Sequence, residues 1–347
     1  MTVVTIQGAD FLVDGLVANQ GRTLDGIPLD GLLLNSRMIN GAFDDANTAT
    51  AHRWAYPDTG VWDAERNTRE FLAAMPQWKA DGLDAFTVGI QGGSPQGYSE
   101  EQPWDNAGFT PDGRLRDDYR RRVGAILDEA DRLGLVVILD IFYHGQDHRL
   151  RDEAAIRTAV IEVCEWVLRS GWHHVVIEIA NEVNWHTHYT HALLKAERVH
   201  ELIAHAKSVT HHGLRMLVST SFLAYPPYIT PRVLAEADFV LLHGNGTPYP
   251  DRLREMVDEV KGTPGYTPKP IMFNEDDHFD FDEPHNHMKA ALAAGASWGF
   301  FDPGSITTNP PRPTLGDYLN GYQAAPINWT VSTETKRAFF DTLRRVR

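Results

Sequence analysis

Eight short apolar runs recur along this chain, and between them lie segments with apolar residues at helical spacing. That rhythm constrains the fold more than any other feature. The runs are 31–35, 85–90, 135–140, 175–180, 215–219, 238–242, 270–274 and 296–301. They are apolar at nearly every position, as in Leu135-Val136-Val137-Ile138-Leu139, and do not alternate with polar residues. A strand of that kind is buried on both faces, which means a parallel sheet covered by helices. The spacing predicts helices over about 63–80, 117–133, 152–170, 199–206, 231–236, 251–260, 284–294 and 332–346. Phe71, Leu72, Met75 and Trp78 share one face of the first, and Ile156, Val160, Val163, Cys164 and Val167 one face of the third. Eight βα units predict an α/β chain closed into a (β/α)8 TIM barrel. An open doubly wound sheet is the alternative. No Gly-x-Gly-x-x-Gly joins the first strand to its helix, which weakens that alternative.

The barrel is expected as one domain over 1–347. A short hairpin occupies 1–30, the barrel about 31–305, and a C-terminal loop and helix 306–347. A chain of 347 residues, 42% hydrophobic and 23% charged, builds a core of that size readily. The net charge of −15 argues against nucleic acid or an anionic membrane as a partner. No apolar stretch of about 18 residues is present, so no membrane span is expected. The lone Cys164 forms no intramolecular disulfide and is expected to be a core thiol. Residues 1–10 show no basic patch followed by an apolar run, so a cytoplasmic location is expected, or a secreted one if a signal has been removed. Asn245-Gly246-Thr247 and Asn328-Trp329-Thr330 match a glycosylation acceptor and are read as chance matches.

Barrels of this kind carry their chemistry at the C-terminal ends of the strands. There the sequence places Asn35, Ser36, Arg37 and Asn40 after strand one, and Gln91, Tyr98 and Trp104 after strand two. Asp140, Tyr143, His144 and His148 follow strand three; Asn181, Glu182, Trp185, His186 and His188 follow strand four. Ser221, His243 and Asn245 follow strands five and six. Glu275, Asp276, Asp277 and His278 end strand seven, and Trp298 lies in strand eight. Two of these strands stop at Asn-Glu: Ile179-Ala180-Asn181-Glu182 and Met272-Phe273-Asn274-Glu275. In one barrel those glutamates face each other across the mouth, the arrangement that breaks a glycosidic bond with two carboxyl groups. Aromatics stack on sugar faces, and amides and acids bond sugar hydroxyls.

With those residues in place, the chain resembles the large clan of (β/α)8-barrel retaining glycoside hydrolases that includes cellulases, β-mannanases and β-galactosidases. The resemblance covers roughly 25–305. It implies Glu182 as general acid/base, Glu275 as nucleophile, Asn181 on the sugar 2-hydroxyl, and Arg37 keeping the nucleophile charged. It implies a glycoside or oligosaccharide substrate and no cofactor or metal. The further substrate contacts expected are Asn35, Tyr143, His144, Trp185, His243 and Trp298. One position departs from the clan. His243 is followed by Gly244-Asn245 where many members place a tyrosine, so that role is either unfilled or passes to Asn245, Tyr249 or Tyr143. The acidic run Asp276-Asp277-His278 would either repel anionic substrates or bond hydroxyls of a terminal sugar. Two rival readings stand beside this one. A non-catalytic carbohydrate-binding barrel is the first. A metal-dependent barrel hydrolase is the second, drawn from the 16 histidines and the His186-Thr187-His188 spacing. The loop 91–113 and the segment 303–330 are expected to wall the site.

Overall fold

The computed structural model describes residues 1–99, 101–185, 189–304 and 321–347, and shows a closed parallel barrel. Its strands are β1 Leu34–Arg37, β2 Ala85–Gly89, β3 Val136–Phe142 and β4 Val175–Ala180. β5 comes in two pieces, Leu217–Ser219 and Ser221–Phe222; β6 is Val240–His243, β7 Ile271–Glu275 and β8 Trp298–Phe300. The helices are α1 Ala64–Ala80, α2 Asp117–Leu133, α3 Glu153–Ser170, α4 His200–Ser208, α5 Pro231–Glu236, α6 Asp251–Lys261, α7 His287–Ala293 and α8 Glu334–Leu343. Strand-by-strand pairing runs parallel around the ring, and β8 closes onto β1 through Trp298–Leu34 and Phe300–Ser36. β7 meets β8 at Met272–Ser297 and Asp276–Phe300.

β5 is broken because its two pieces serve different neighbours. Leu217–Ser219 pairs with β4 and Ser221–Phe222 with β6. At the break, the buried Thr220 hydroxyl donates to the Ala180 carbonyl at 2.7 Å and satisfies an acceptor the ladder leaves over. The first strand also starts later than its apolar run suggests: Leu32 and Leu33 precede the ladder, and Asn35, Ser36 and Arg37 lie within it.

Inside the barrel, residue parity sorts the side chains. Leu33, Ala85, Val136, Ile138, Val176, Leu241 and Met272 fill the lower interior together with Val4, Phe11 and Ala18 from the N-terminal segment. That segment is an antiparallel hairpin, Val4–Gln7 with Asp10–Val13. Phe11 meets Phe239 edge-on at 5.8 Å, so the hairpin plugs the mouth opposite the strand C-termini. Outward-facing Val137, Leu139, Ile177, Phe273 and Phe300 pack under the helices, with Cys164 of α3 buried among them. Helix ends follow local chemistry. Asp63 and Asp152 cap α1 and α3 by accepting backbone N–H groups, and Gly134 and Gly171 end α2 and α3 with left-handed turns. Among the described residues no helix is long and apolar enough to cross a membrane.

Candidate active site

Glu182 and Glu275 stand at the C-terminal ends of β4 and β7, 5% and 4% exposed. One oxygen of each, with a ring nitrogen of His243, all lie within 4.8 Å of one another. The turn that carries Glu182 is strained and clamped. Glu182 has φ of +53°, a left-handed conformation that non-glycine side chains rarely adopt. It is held there by β5: the Glu182 N–H donates to Ser221 Oγ at 2.9 Å, and the Val183 N–H to the Ser221 carbonyl at 3.1 Å. Asn184 extends the clamp, accepting from the Leu223 N–H at 2.8 Å and donating to the Tyr225 carbonyl at 3.2 Å. Strain of this kind persists where surrounding bonds over-determine it, commonly at working sites.

The two carboxyls have different partners. Arg37, 1% exposed, lies with Nε 2.5 Å from Glu275 Oε2. Asn245 Nδ2 donates to the other oxygen, Oε1, at 2.6 Å. Burial pushes the Glu275 carboxyl above its ordinary value, and Arg37 and the Asn245 amide oppose that rise without cancelling it. Glu182 has no such guanidinium on it. Burial raises it to about 7, opposed only by the more distant Arg37. His243 Nδ1 sits between them, 2.8 Å from Glu182 Oε1 and 3.5 Å from Glu275 Oε2. Burial lowers its basicity, which favours a neutral ring.

Arg37 also fixes an amide. Its Nη2 donates to Asn181 Oδ1 at 2.8 Å, leaving the Asn181 nitrogen as the donor side of that group. Beside Glu182 lies an aromatic wall. His144 stacks on Tyr143 with ring centroids 4.2 Å apart and meets Trp185 at 5.1 Å. His144 Nδ1 is 4.0 Å from Glu182 Oε2. Across the site the half-buried Tyr98 donates its hydroxyl to Asp277 Oδ2 at 2.9 Å, and the Gly246 N–H donates to Asp277 Oδ1 at 3.0 Å.

Several sequence expectations fall elsewhere. Trp298 is not a substrate contact. It faces outward from β8 into the helix layer, packs on Phe281 and Phe339, and donates its indole N–H to Asp276 at 2.6 Å. The inward residue of β8 is Gly299, where a Cβ would strike Asn35. Asn35 is likewise not at the mouth: it is fully buried a layer below Arg37 and donates to the Phe273 carbonyl at 3.3 Å. His243 is fully buried between the carboxyls, so it touches them and not a ligand at the mouth. Trp104 is core, meeting Trp54 edge-on at 5.7 Å. Asp276 offers nothing to a substrate, because Trp298 and His278 Nδ1 occupy its oxygens. His186 and His188 lie outside the described residues, as do 305–320 of the expected wall. The described part of that segment is tied to the β2 loop: Ala325 N–H donates to the Pro95 carbonyl at 2.8 Å and Gln323 to the Gly97 carbonyl at 3.0 Å.

Of the three candidates for the role of the clan's tyrosine, Asn245 is the one bonded to Glu275. Tyr249 is 46% exposed and bonds Glu255 instead. The Tyr98–Asp277 pair was not foreseen as a unit, since its members are 179 residues apart. A cation between Glu182, His243 and Glu275 would meet the Arg37 guanidinium, which already holds Glu275 Oε2.

No protein-family model and no curated protein matches this sequence. Solved structures do match in fold. The chain is similar to a glycoside hydrolase family 5 mannosidase from Rhizomucor miehei, with 12% identity over 99% of this chain and 97% of that one and a TM-score of 0.55. It is also similar to a broad-specificity family 5 endoglucanase from Bacteroides salanitronis, with 14% identity, 91% and 93% coverage and a TM-score of 0.55. A family 5 enzyme from Prevotella bryantii B14 aligns at 12% identity over 91% and 96% with a TM-score of 0.53. At these identities the likeness is one of fold.

Proposed function

We propose that this chain hydrolyses O-glycosidic bonds with retention of configuration, Glu275 acting as nucleophile and Glu182 as acid/base. The observation that carries the reading is one pair of buried carboxyls, with oxygens within 4.8 Å, of which Glu275 is held by a guanidinium and an amide donor and Glu182 by neither. Retaining hydrolysis uses carboxyls about 5–5.5 Å apart, whereas inversion needs room for a water between them. The solved structures of similar fold are named as glycoside hydrolases, which supports the substrate class.

In the first step the ionised Glu275 attacks the anomeric carbon while the protonated Glu182 gives its proton to the leaving oxygen. The glycosidic C–O bond breaks and a glycosyl ester forms on Glu275. In the second step Glu182, now a carboxylate, takes a proton from water, whose oxygen displaces Glu275. A carboxyl near 7 is matched to both halves of that cycle. Arg37 and Asn245 keep the nucleophile charged. The Asn181 nitrogen is placed to bond a sugar hydroxyl, and Tyr143, His144 and Trp185 offer a face on which a ring can stack.

A panel of aryl glycosides finds the sugar. On the best of them Glu275→Gln abolishes turnover with the circular dichroism spectrum unchanged; undiminished turnover refutes the assignment. Glu182→Ala should be rescued by azide on substrates with good leaving groups. Loss of wild-type activity to a chelator, with metal bound one per chain, would instead favour the metal-dependent reading.

A further inference from the structure

Beneath the two glutamates the barrel holds a second carboxyl pair that this reaction does not use. Asp140 on β3 and Glu178 on β4 are direct partners in the parallel ladder. Both share the inward parity of Val136, Ile138 and Val176. Adjacent strands lie about 4.8 Å apart, so the two side chains are neighbours. Both are fully buried. Asn274 reaches across from β7 and donates to Glu178 Oε2 at 2.9 Å, and the Ser221 side chain approaches Glu178 from β5. Among the described residues, neither oxygen of Asp140 nor Oε1 of Glu178 has a hydrogen-bond partner. The charged and titratable groups coupled to this layer are Arg37 from β1, His243 from β6, Glu275 from β7, and Tyr189 beyond β4. Arg37 is the guanidinium that acts on both carboxyls; its Nε pairs with Glu275, its Nη2 donates to Asn181, and among the described residues its Nη1 has no hydrogen-bond partner.

Two ionised carboxylates side by side in this interior would repel each other and leave three acceptor oxygens without donors. One proton between them converts the repulsion into an O–H···O bond and leaves a single negative charge below Arg37. We propose that Asp140 and Glu178 share one proton at neutral pH and form a positioning pair for Arg37. Burial pushes both carboxyls above their ordinary values, and the Glu178 charge pushes Asp140 further. The pair acts on the reaction through Arg37: one negative charge beneath the guanidinium holds it in place, and a second would draw it from Glu275. The catalytic consequence rests on the glycosidase reading; the shared proton does not.

The test has two arms. Infrared spectra at neutral pH are compared between Glu182→Gln and the same variant carrying Asp140→Asn or Glu178→Gln, so that the Glu182 carboxyl never contributes. The pair predicts a protonated-carboxyl stretch that either substitution removes, because the remaining carboxyl ionises beside an amide donor. No lost band overturns the proposal. This arm needs no turnover, so it decides the proton even if no glycoside is cleaved. The second arm is the pH profile of kcat/KM with Glu182 intact. Asp140→Asn and Glu178→Gln alone each keep one negative charge and leave the acidic limb in place. The double variant removes that charge, strengthens the field of Arg37 on Glu275, and moves the acidic limb down by more than about half a pH unit. A downward move in each single variant means both acids were ionised and overturns the proposal. An active enzyme with no band would sink the pair and leave the glycosidase reading standing.

Discussion

The β4 and β7 sides of the mouth present the same residue at nearly the same burial, 5% and 4% exposed, in unlike company. On the β7 side, Glu275 is gripped by a guanidinium at 2.5 Å and an amide at 2.6 Å. On the β4 side, Glu182 faces His243, a ring that burial keeps neutral, and its own backbone is bent to φ of +53° and tied to Ser221. Burial alone would raise both carboxyls. The difference lies in the contacts: a permanent cation opposes the effect of burial on one side, and on the other no cation in contact does. On the proposed reading, the roles of acid and nucleophile are divided by neighbours, not by residue type or depth.

The strongest way to break the contrast is Arg37→Ala. It leaves Glu275 buried with only Asn245 and His243, so its carboxyl rises and is ionised only at higher pH. Removing one member of a buried ion pair typically costs about 3–5 kcal/mol of folding stability, and losing one electrostatic partner at a reacting centre costs roughly 10²- to 10³-fold in rate. The acidic limb of the pH profile should move upward while the alkaline limb, set by Glu182, moves less. An unmoved acidic limb would show that Arg37 does not charge Glu275. Arg37→Lys should recover part of the loss, because a point charge cannot hold Glu275 and Asn181 together.

Glu182 is tested from the stability side. Its folded-state carboxyl is raised to about 7 from an ordinary 4.5, so burial is tolerated fully below about pH 4.5 and the associated stability is lost as pH rises through 7. That difference corresponds to about 3 kcal/mol. Glu182→Gln stays neutral throughout. It should therefore match the wild type in urea unfolding at pH 4 and exceed it by up to about 3 kcal/mol at pH 8. An equal gain at both pH values would trace the effect to new hydrogen bonds of the amide, not to a buried charge.

Much of this was legible in the chain, for physical reasons. Eight runs buried on both faces can only be parallel strands under helices, and the Asn-Glu endings of two of them fixed where the carboxyls emerge. Arg37 was readable because it closely follows the first apolar run, where the resemblance implies an arginine; the structure extends the strand to include it. Trp298 was misread although the signal was present: strands alternate, and Gly299 beside it is the residue small enough to face Asn35 across a narrow interior. The Tyr98–Asp277 bond was not legible, because loop paths after β2 and β7 are set by tertiary packing and no local pattern encodes them. The inner pair Asp140–Glu178 was half-visible. Both acids sit inside apolar runs, but only the ladder register makes them neighbours.

Asn245 gives the smallest and sharpest test of the β7 side. Its amide donates to the oxygen of Glu275 that Arg37 Nε does not hold, so the two partners act on separate lone pairs. A hydrogen bond to a charged group is worth about 1.5–3 kcal/mol. Asn245→Ala should lower kcat/KM by roughly 10- to 150-fold and move the acidic limb upward, in the same direction as Arg37→Ala but less. Because both residues bear on one carboxylate, the double variant should fall short of the sum of the two losses. Asn245→Asp puts a second negative charge against Glu275 and should cost more than the alanine, with the gap closing at low pH as one of the two carboxyls protonates. If Asn245→Ala leaves both the rate and the acidic limb where they were, Arg37 alone charges the nucleophile, and Asn245 merely fills the space after β6.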